Sequence, residues 1–184
     1  TKKEICKLFN WSEEVPIVVI FDHSYLDGLY RSGRTLFKDN LQWIRATFNK
    51  IKKINNVNWI VKNHPENPYS LQKALTDTEQ EFARAFTHEK HIKFFPKNLS
   101  NKSFPNIISL AITGKGSVGT EYSSLGIPVI ITNKAHYSDF GFILEPKTKE
   151  EYFNLLENIN KIPSLTKEQI NLAKIFVFLE QDFF

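Results

Sequence analysis

The chain has 184 residues, enough for one domain with its own core. Its apolar share of 41% beside 24% charged residues is that of a globular protein and excludes a disordered polar chain. No run reaches the roughly 18 apolar residues of a membrane-spanning helix, no signal peptide is evident, and the net charge of +4 is too mild to imply a nucleic-acid partner.

Residues 16–22 form a short continuous apolar run, the pattern of a strand buried on both faces in a parallel sheet. A polar loop follows over 23–35, broken by Gly28 and Gly33. Within 36–54, Phe37, Leu41, Ile44, Phe48 and Ile51 recur at spacings of three and four, which predicts an amphipathic helix. Residues 57–61 read as the next strand, ending at Lys62-Asn63-His64-Pro65, where the proline stops the ladder. A turn at 66–70 leads into a helix over 70–86, then a short strand at 92–95 and a loop with a short helical turn at 98–105.

Residues 107–113 form the strand before a glycine turn, and a short helix over 118–125 is stopped by Gly126 and Pro128. Another strand spans 129–132, a loop covers 133–146, and helices cover 149–160 and 166–179, the last opened by Thr166 and Gln169 at capping-box spacing. Strands alternate with helices throughout, so the expected fold is an α/β domain with a Rossmann-like parallel sheet flanked by helices. Ligands of such sheets bind at the carboxyl ends of the strands. Two strand exits therefore stand out: His64-Pro65, and the turn from Gly114 to Glu121.

Gly114, Gly116 and Gly119 match G-x-G-x-x-G between a strand and a helix, which is the form of a dinucleotide fingerprint. Its context does not follow: the next strand ends in Asn133-Lys134, where an acidic residue should hold a ribose, and Asp139 lies in the loop beyond. The broader reading is a phosphate site, in which small residues let backbone N–H groups approach an anion and Ser117 and Thr120 add hydroxyl donors. The bland alternative is a tight turn that needs glycine for its backbone angles. Glu121 either complements the helix dipole or accepts hydrogen bonds from a sugar's hydroxyls. His64 can donate to a phosphate oxygen, and the following proline restricts it to extended backbone, so its direction is preset.

The loop after the first strand should reach the same edge. Asp22, His23 and Asp27 are its candidates for acid–base work, and Arg31 and Arg34 could bind an anionic group. Metal binding is not expected, because the five histidines show no ligand spacing and His88 and His91 lack a clear third ligand. No G-x-S-x-G nucleophile elbow occurs, and the aromatics sit at buried-looking positions rather than in an exposed stacking row. The single Cys6 cannot form an internal disulfide, which fits a reducing cytoplasm, and the mild positive charge permits peripheral contact with an anionic membrane surface. Methionine is absent, including at position 1, so the chain is read as a piece of a longer or processed protein.

Three segments taken together resemble bacterial capsular and surface polysaccharide biosynthesis proteins, glycosyltransferase-like proteins related to Kdo and sialic acid transferases. They are Asp27 with residues 36–43, residues 57–66 including His64-Pro65-Glu66, and residues 116–129 from Gly116-Ser117 through Glu121 to Gly126-Ile127-Pro128. The loop from Ala135-His136-Tyr137 to Gly141-Phe142 is similar to the family's aromatic-then-glycine loop. The resemblance implies the C-terminal, nucleotide-sugar-binding half of a GT-B fold, in which two Rossmann-like domains face each other across a cleft. It implies His64, Ser117 and Ser123 or Ser124 at the nucleotide or its phosphate, joining Gly116 and Thr120 of the phosphate turn, with Glu121 at a ribose and no cofactor or catalytic metal.

The resemblance implies sugar transfer from a nucleotide sugar, with a CMP-linked one as a candidate, to a glycan or lipid-linked acceptor in the cytoplasm or at the inner membrane face. Residues 1–15 would lead in from a missing N-terminal domain, which often carries the catalytic base, and 165–184 would form a C-terminal helix. Rival readings are a phosphotransferase resembling the CDP-glycerol-using teichoic-acid polymerases, a sugar-nucleotide epimerase, and a non-catalytic binding or assembly module.

Overall fold

The computed structural model describes residues 1–23, 33–64, 78–96 and 101–183. Five strands, β1 (Ile17–Phe21), β2 (Asn58–Lys62), β3 (Ile92–Phe94), β4 (Leu110–Thr113) and β5 (Val129–Ile131), form one parallel sheet in the order β3-β2-β1-β4-β5. Helices cover both faces: α2 (Asn40–Ile51), α3 (Thr78–Ala85) and α5 (Lys149–Glu157) on one, and α1 (Lys2–Phe9), α4 (Val118–Ser124) and α6 (Lys167–Phe183) on the other.

The central strand shows why its sequence is apolar without alternation. Val18 and Ile20 enter the core beneath α2, α3 and α5, while Ile17, Val19 and Phe21 enter the opposite core. A period of two serves two apolar faces at once, so every residue of β1 is buried. Helix α2 begins where the Asp39 carboxylate accepts the Gln42 N–H at 2.6 Å, three residues later than the hydrophobic spacing alone suggests. It is tied to α5 inside the core. The Trp43 indole N–H donates to the Tyr152 hydroxyl at 3.1 Å, and the Thr47 hydroxyl lies 2.8 Å from the same oxygen.

The strand expected over 107–113 starts only at Leu110. The N–H groups of Ile107 and Ile108 bond back to the Phe104 carbonyl at 2.9 and 3.0 Å, closing the 3-10 turn Asn101–Asn106, so these two apolar residues serve core packing and not the ladder. Residues 1–15, read as a lead-in from a preceding domain, form α1, which buries Cys6 and ends at Asn10 in the left-handed region (φ 57°). Of the helix expected over 70–86, the described part is α3, and 70–77 lie outside the described residues. Helix α6 turns Ala173 and Phe176 inward and leaves Leu172, Ile175, Phe178 and Leu179 on its outer face.

Strand register sets the site. Phe21 of β1 pairs with Lys62 of β2 and with Thr113 of β4, and Thr113 pairs with Ile131 of β5. The four strands therefore end level, and the segments that follow them emerge at one edge. The chain moves outward from β1 through β2 to β3, then crosses back to β4 and continues to β5. Its direction of winding reverses between β1 and β4, and that reversal opens a crevice at the carboxyl edge.

Candidate functional site

A cavity of about 1000 Å³ occupies this crevice. Its floor is aromatic, with the Phe21 and Tyr122 rings edge to face at 5.2 Å. Its walls are cationic: Lys62, Lys102, Lys115 and Lys134 line it against two carboxylates, Asp22 and Glu121. A pocket of this size with an apolar floor and a few convergent polar groups suits a small-molecule ligand, and the charge balance suits an anionic one.

His64 and Ser117, on different strand exits, both line this one cavity, together with Gly116, Glu121, Asp22 and His23. His23 is buried at the end of β1, and its ring meets that of His64 edge to face at 6.1 Å between centroids. Asp22 is buried beside it and accepts a hydrogen bond from the Thr78 hydroxyl at the start of α3, which ties β1 to that helix. Ser117 caps α4 by position, yet its hydroxyl makes no capping bond and the residue is exposed at the cavity. Burial holds the Lys62 ammonium below the usual lysine range, with its Nζ 6.0 Å from the centre of the Phe21 ring. Burial, assisted by the negative charge of Glu121, pushes the Tyr122 phenol up to about 12.

Helix α4 presents only one of its faces. Val118, Glu121, Tyr122 and Leu125 line the cavity, at the i, i+3, i+4, i+7 positions of a helical stripe. Thr120, Ser123 and Ser124 fall off that stripe, and their hydroxyls are occupied elsewhere. Thr120 donates to the Ser117 carbonyl at 3.0 Å, Ser123 to Phe142 at 3.4 Å and Ser124 to Glu121 at 2.7 Å. Helical periodicity applied to 118–125 separates these two groups. Asp27, Arg31 and Pro65 lie outside the described residues. Arg34 pairs with Glu145 at 3.7 Å, and Asp139 is bound by Lys134 at 3.1 Å without lining the cavity.

The glycines of the turn are not there for left-handed backbone. Positive φ among the described glycines occurs at Gly33, Gly126 and Gly141, and not at Gly114, Gly116 or Gly119. What Gly119 supplies is room: a Cβ there would stand 2.4 Å from the ring of Tyr137. That ring is fully buried, and its hydroxyl donates to the Gly116 carbonyl at 2.6 Å.

Sequence reasoning missed Lys102, Lys134 and His136 as cavity residues. The strand-end rule that picks out His64 points equally to 133–136 after β5. Lys102 comes from the 3-10 turn before β4 and carries no such signal. Among the described residues no group of three or more His, Cys, Asp or Glu side chains is arranged to hold a metal ion, and no helix is long and apolar enough to cross a membrane.

Sheet order, winding and crevice define a Rossmann-like α/β domain of the kind found in GT-B enzymes. No family model matches the sequence, and no curated protein does. Solved structures do share the fold. The KpsC β-Kdo 2,4-transferase of Thermosulfurimonas dismutans is 15% identical, with a TM-score of 0.51 over 89% of this chain and 45% of that one. The wall teichoic acid polymerase TagF is 13% identical, with a TM-score of 0.57 over 97% of this chain and 42% of that one. The UDP-GlcNAc 2-epimerase of Neisseria meningitidis, solved bound to UDP-GlcNAc, is 12% identical, with a TM-score of 0.54 over 98% of this chain and 48% of that one. At these identities the shared property is the fold, and the chain spans somewhat under half the length of each.

Proposed function

We propose that this chain is the donor-binding domain of a GT-B glycosyltransferase that takes a sugar from a nucleotide sugar, CMP-linked, for surface polysaccharide synthesis. The observation that carries the reading is the cavity at the β1–β4 reversal, where four lysines and His64 surround an aromatic floor. A nucleotide sugar has the matching parts: a flat base and sugar for the floor, and phosphate charge for the walls.

In this reading His64, Lys62 and Ser117 hold the phosphate, and Glu121 at the rim accepts from ribose hydroxyls. The lysines of the cavity wall would stabilise the phosphate as it leaves with the bond's electrons, which lowers the barrier to sugar transfer. Asp22, His23 and Asp27 are the acid–base candidates on this half, and a preceding domain would present the glycan or lipid-linked acceptor across the cavity mouth. The outer face of α6, with Ile175 and Phe178 exposed, is surface that such a domain would cover. The reaction would run in the cytoplasm at the inner membrane face.

Fold alone does not choose among relatives. The alternative reading is transfer of an alditol phosphate from a CDP-linked donor, favoured by the match to TagF.

The test is thermal stability of the chain with CMP, CDP, UDP, GDP and NAD at millimolar concentration, since a ligand of the folded state raises the melting temperature by mass action. A shift with CMP that disappears in His64→Ala supports the proposal. A shift with CDP and not CMP favours the alternative. A shift with NAD alone, or with none of the five, overturns both.

A further inference from the structure

We propose that Tyr137 is a positioning residue: its phenol locks the Gly116–Ser117 peptide so that the Gly116 carbonyl stays out of the anion-binding cavity. The proposal rests on the nucleotide-binding reading above. Gly116 and Ser117 line the cavity wall between Lys115 and Glu121. The peptide joining them is planar and trans, so its C=O and N–H point in opposite directions. Turning that peptide changes ψ of Gly116, where no side chain resists it, together with φ of Ser117, which stands at −55°.

One orientation turns the carbonyl dipole's negative end toward the ligand, and the other turns the N–H toward it. For an anion the difference is one of sign. The Gly116 carbonyl accepts from the Tyr137 hydroxyl at 2.6 Å and from the Gly119 N–H at 3.0 Å, both on the protein side of the turn. Tyr137 is itself fixed. Its ring is fully buried against the first turn of α4, and Ser138 beside it closes the loop by accepting the Ala135 N–H at 3.0 Å. His136, bonded to Glu180 of α6, packs edge to face on it at 5.1 Å between centroids. Burial keeps the phenol protonated far above neutrality, so it remains a donor.

The matched variant is Tyr137→Phe, which keeps the ring and removes the donor. The Gly119 N–H still bonds the carbonyl, so the fold should survive, while the carbonyl loses the second donor that fixes its direction. Affinities are measured by calorimetry on the full chain and on the variant for three probes: the tightest of CMP, CDP, UDP and GDP, the corresponding nucleoside, and inorganic pyrophosphate. The expected result is a loss of roughly tenfold for the nucleotide and for pyrophosphate, with nucleoside affinity unchanged, as for one misplaced polar group. Equal affinities in the two proteins would overturn the positioning role while leaving the nucleotide reading intact. An equal loss for nucleotide and nucleoside would also overturn it, since a merely structural tyrosine loosens the whole pocket. Failure of the unaltered chain to bind any nucleotide would remove the functional reading and this inference with it.

Discussion

Gly119→Ala sets two terms against each other, and the structure decides which wins. In an exposed helix the change gains about 1 kcal/mol, because alanine is the better helix former. Here the new methyl carbon would lie 2.4 Å from two carbons of the Tyr137 ring and 2.5 Å from its oxygen. Favourable contact needs about 3.5–4.0 Å, so ring or helix must move by more than an ångström. The ring cannot yield cheaply, being fully buried and bonded to the Gly116 carbonyl. Overpacking of this kind costs about 1–3 kcal/mol and occasionally more. Three simultaneous overlaps put it at the upper end, for a net loss of about 2 kcal/mol after the propensity gain.

For a domain of this size that loss lowers the melting temperature by roughly 4–8 °C. The assay is urea denaturation and thermal melting of Gly119→Ala in two backgrounds, with Tyr137 intact and with Tyr137→Leu. In the second background the methyl has space, so only the propensity gain of about 1 kcal/mol should remain, giving a coupling of about 3 kcal/mol. A Gly119→Ala chain as stable as the parent, or an equal loss in both backgrounds, would refute the packing argument.

Tyr152→Phe should lower stability by about 1–3 kcal/mol in urea denaturation, because it strips the shared partner from the buried Trp43 indole and Thr47 hydroxyl. Burial raises the Tyr122 and Tyr152 phenols to about 12. Below the ordinary tyrosine range this contribution is fully present. As pH rises from 10 toward 12 the unfolded chain releases protons that the folded chain keeps, so a melting series should show stability falling across that window. On the acid side, two hydrogen bonds from Arg45, at 2.8 and 2.9 Å, hold the Glu81 carboxyl below its usual value. Its contribution is present above about 4.5 and is lost as pH falls through the lowered value, and Glu81→Gln should flatten that limb of the same series.

Local pattern determined much of this protein. The apolar run of β1, the three-and-four spacing of α2 and the stop signal at Gly126 and Pro128 are short-range features, and each appears within a few residues of its expected place. The strand exits at His64 and at the glycine turn were legible for the same reason. What local pattern does not contain is which strand neighbours which. That β4 returns to lie beside β1, bringing His64 and Ser117 to one cavity, is fixed by contacts between residues far apart in sequence. The rotation of α4 likewise depends on what packs beneath it, so Glu121 faces the cavity while Thr120 and Ser123 do not. The reason for Gly119 lies 18 residues away, in a tyrosine ring that occupies the space a side chain would need. Packing in a dense interior is a property of pairs brought together by the whole fold, and only the tertiary structure could supply it.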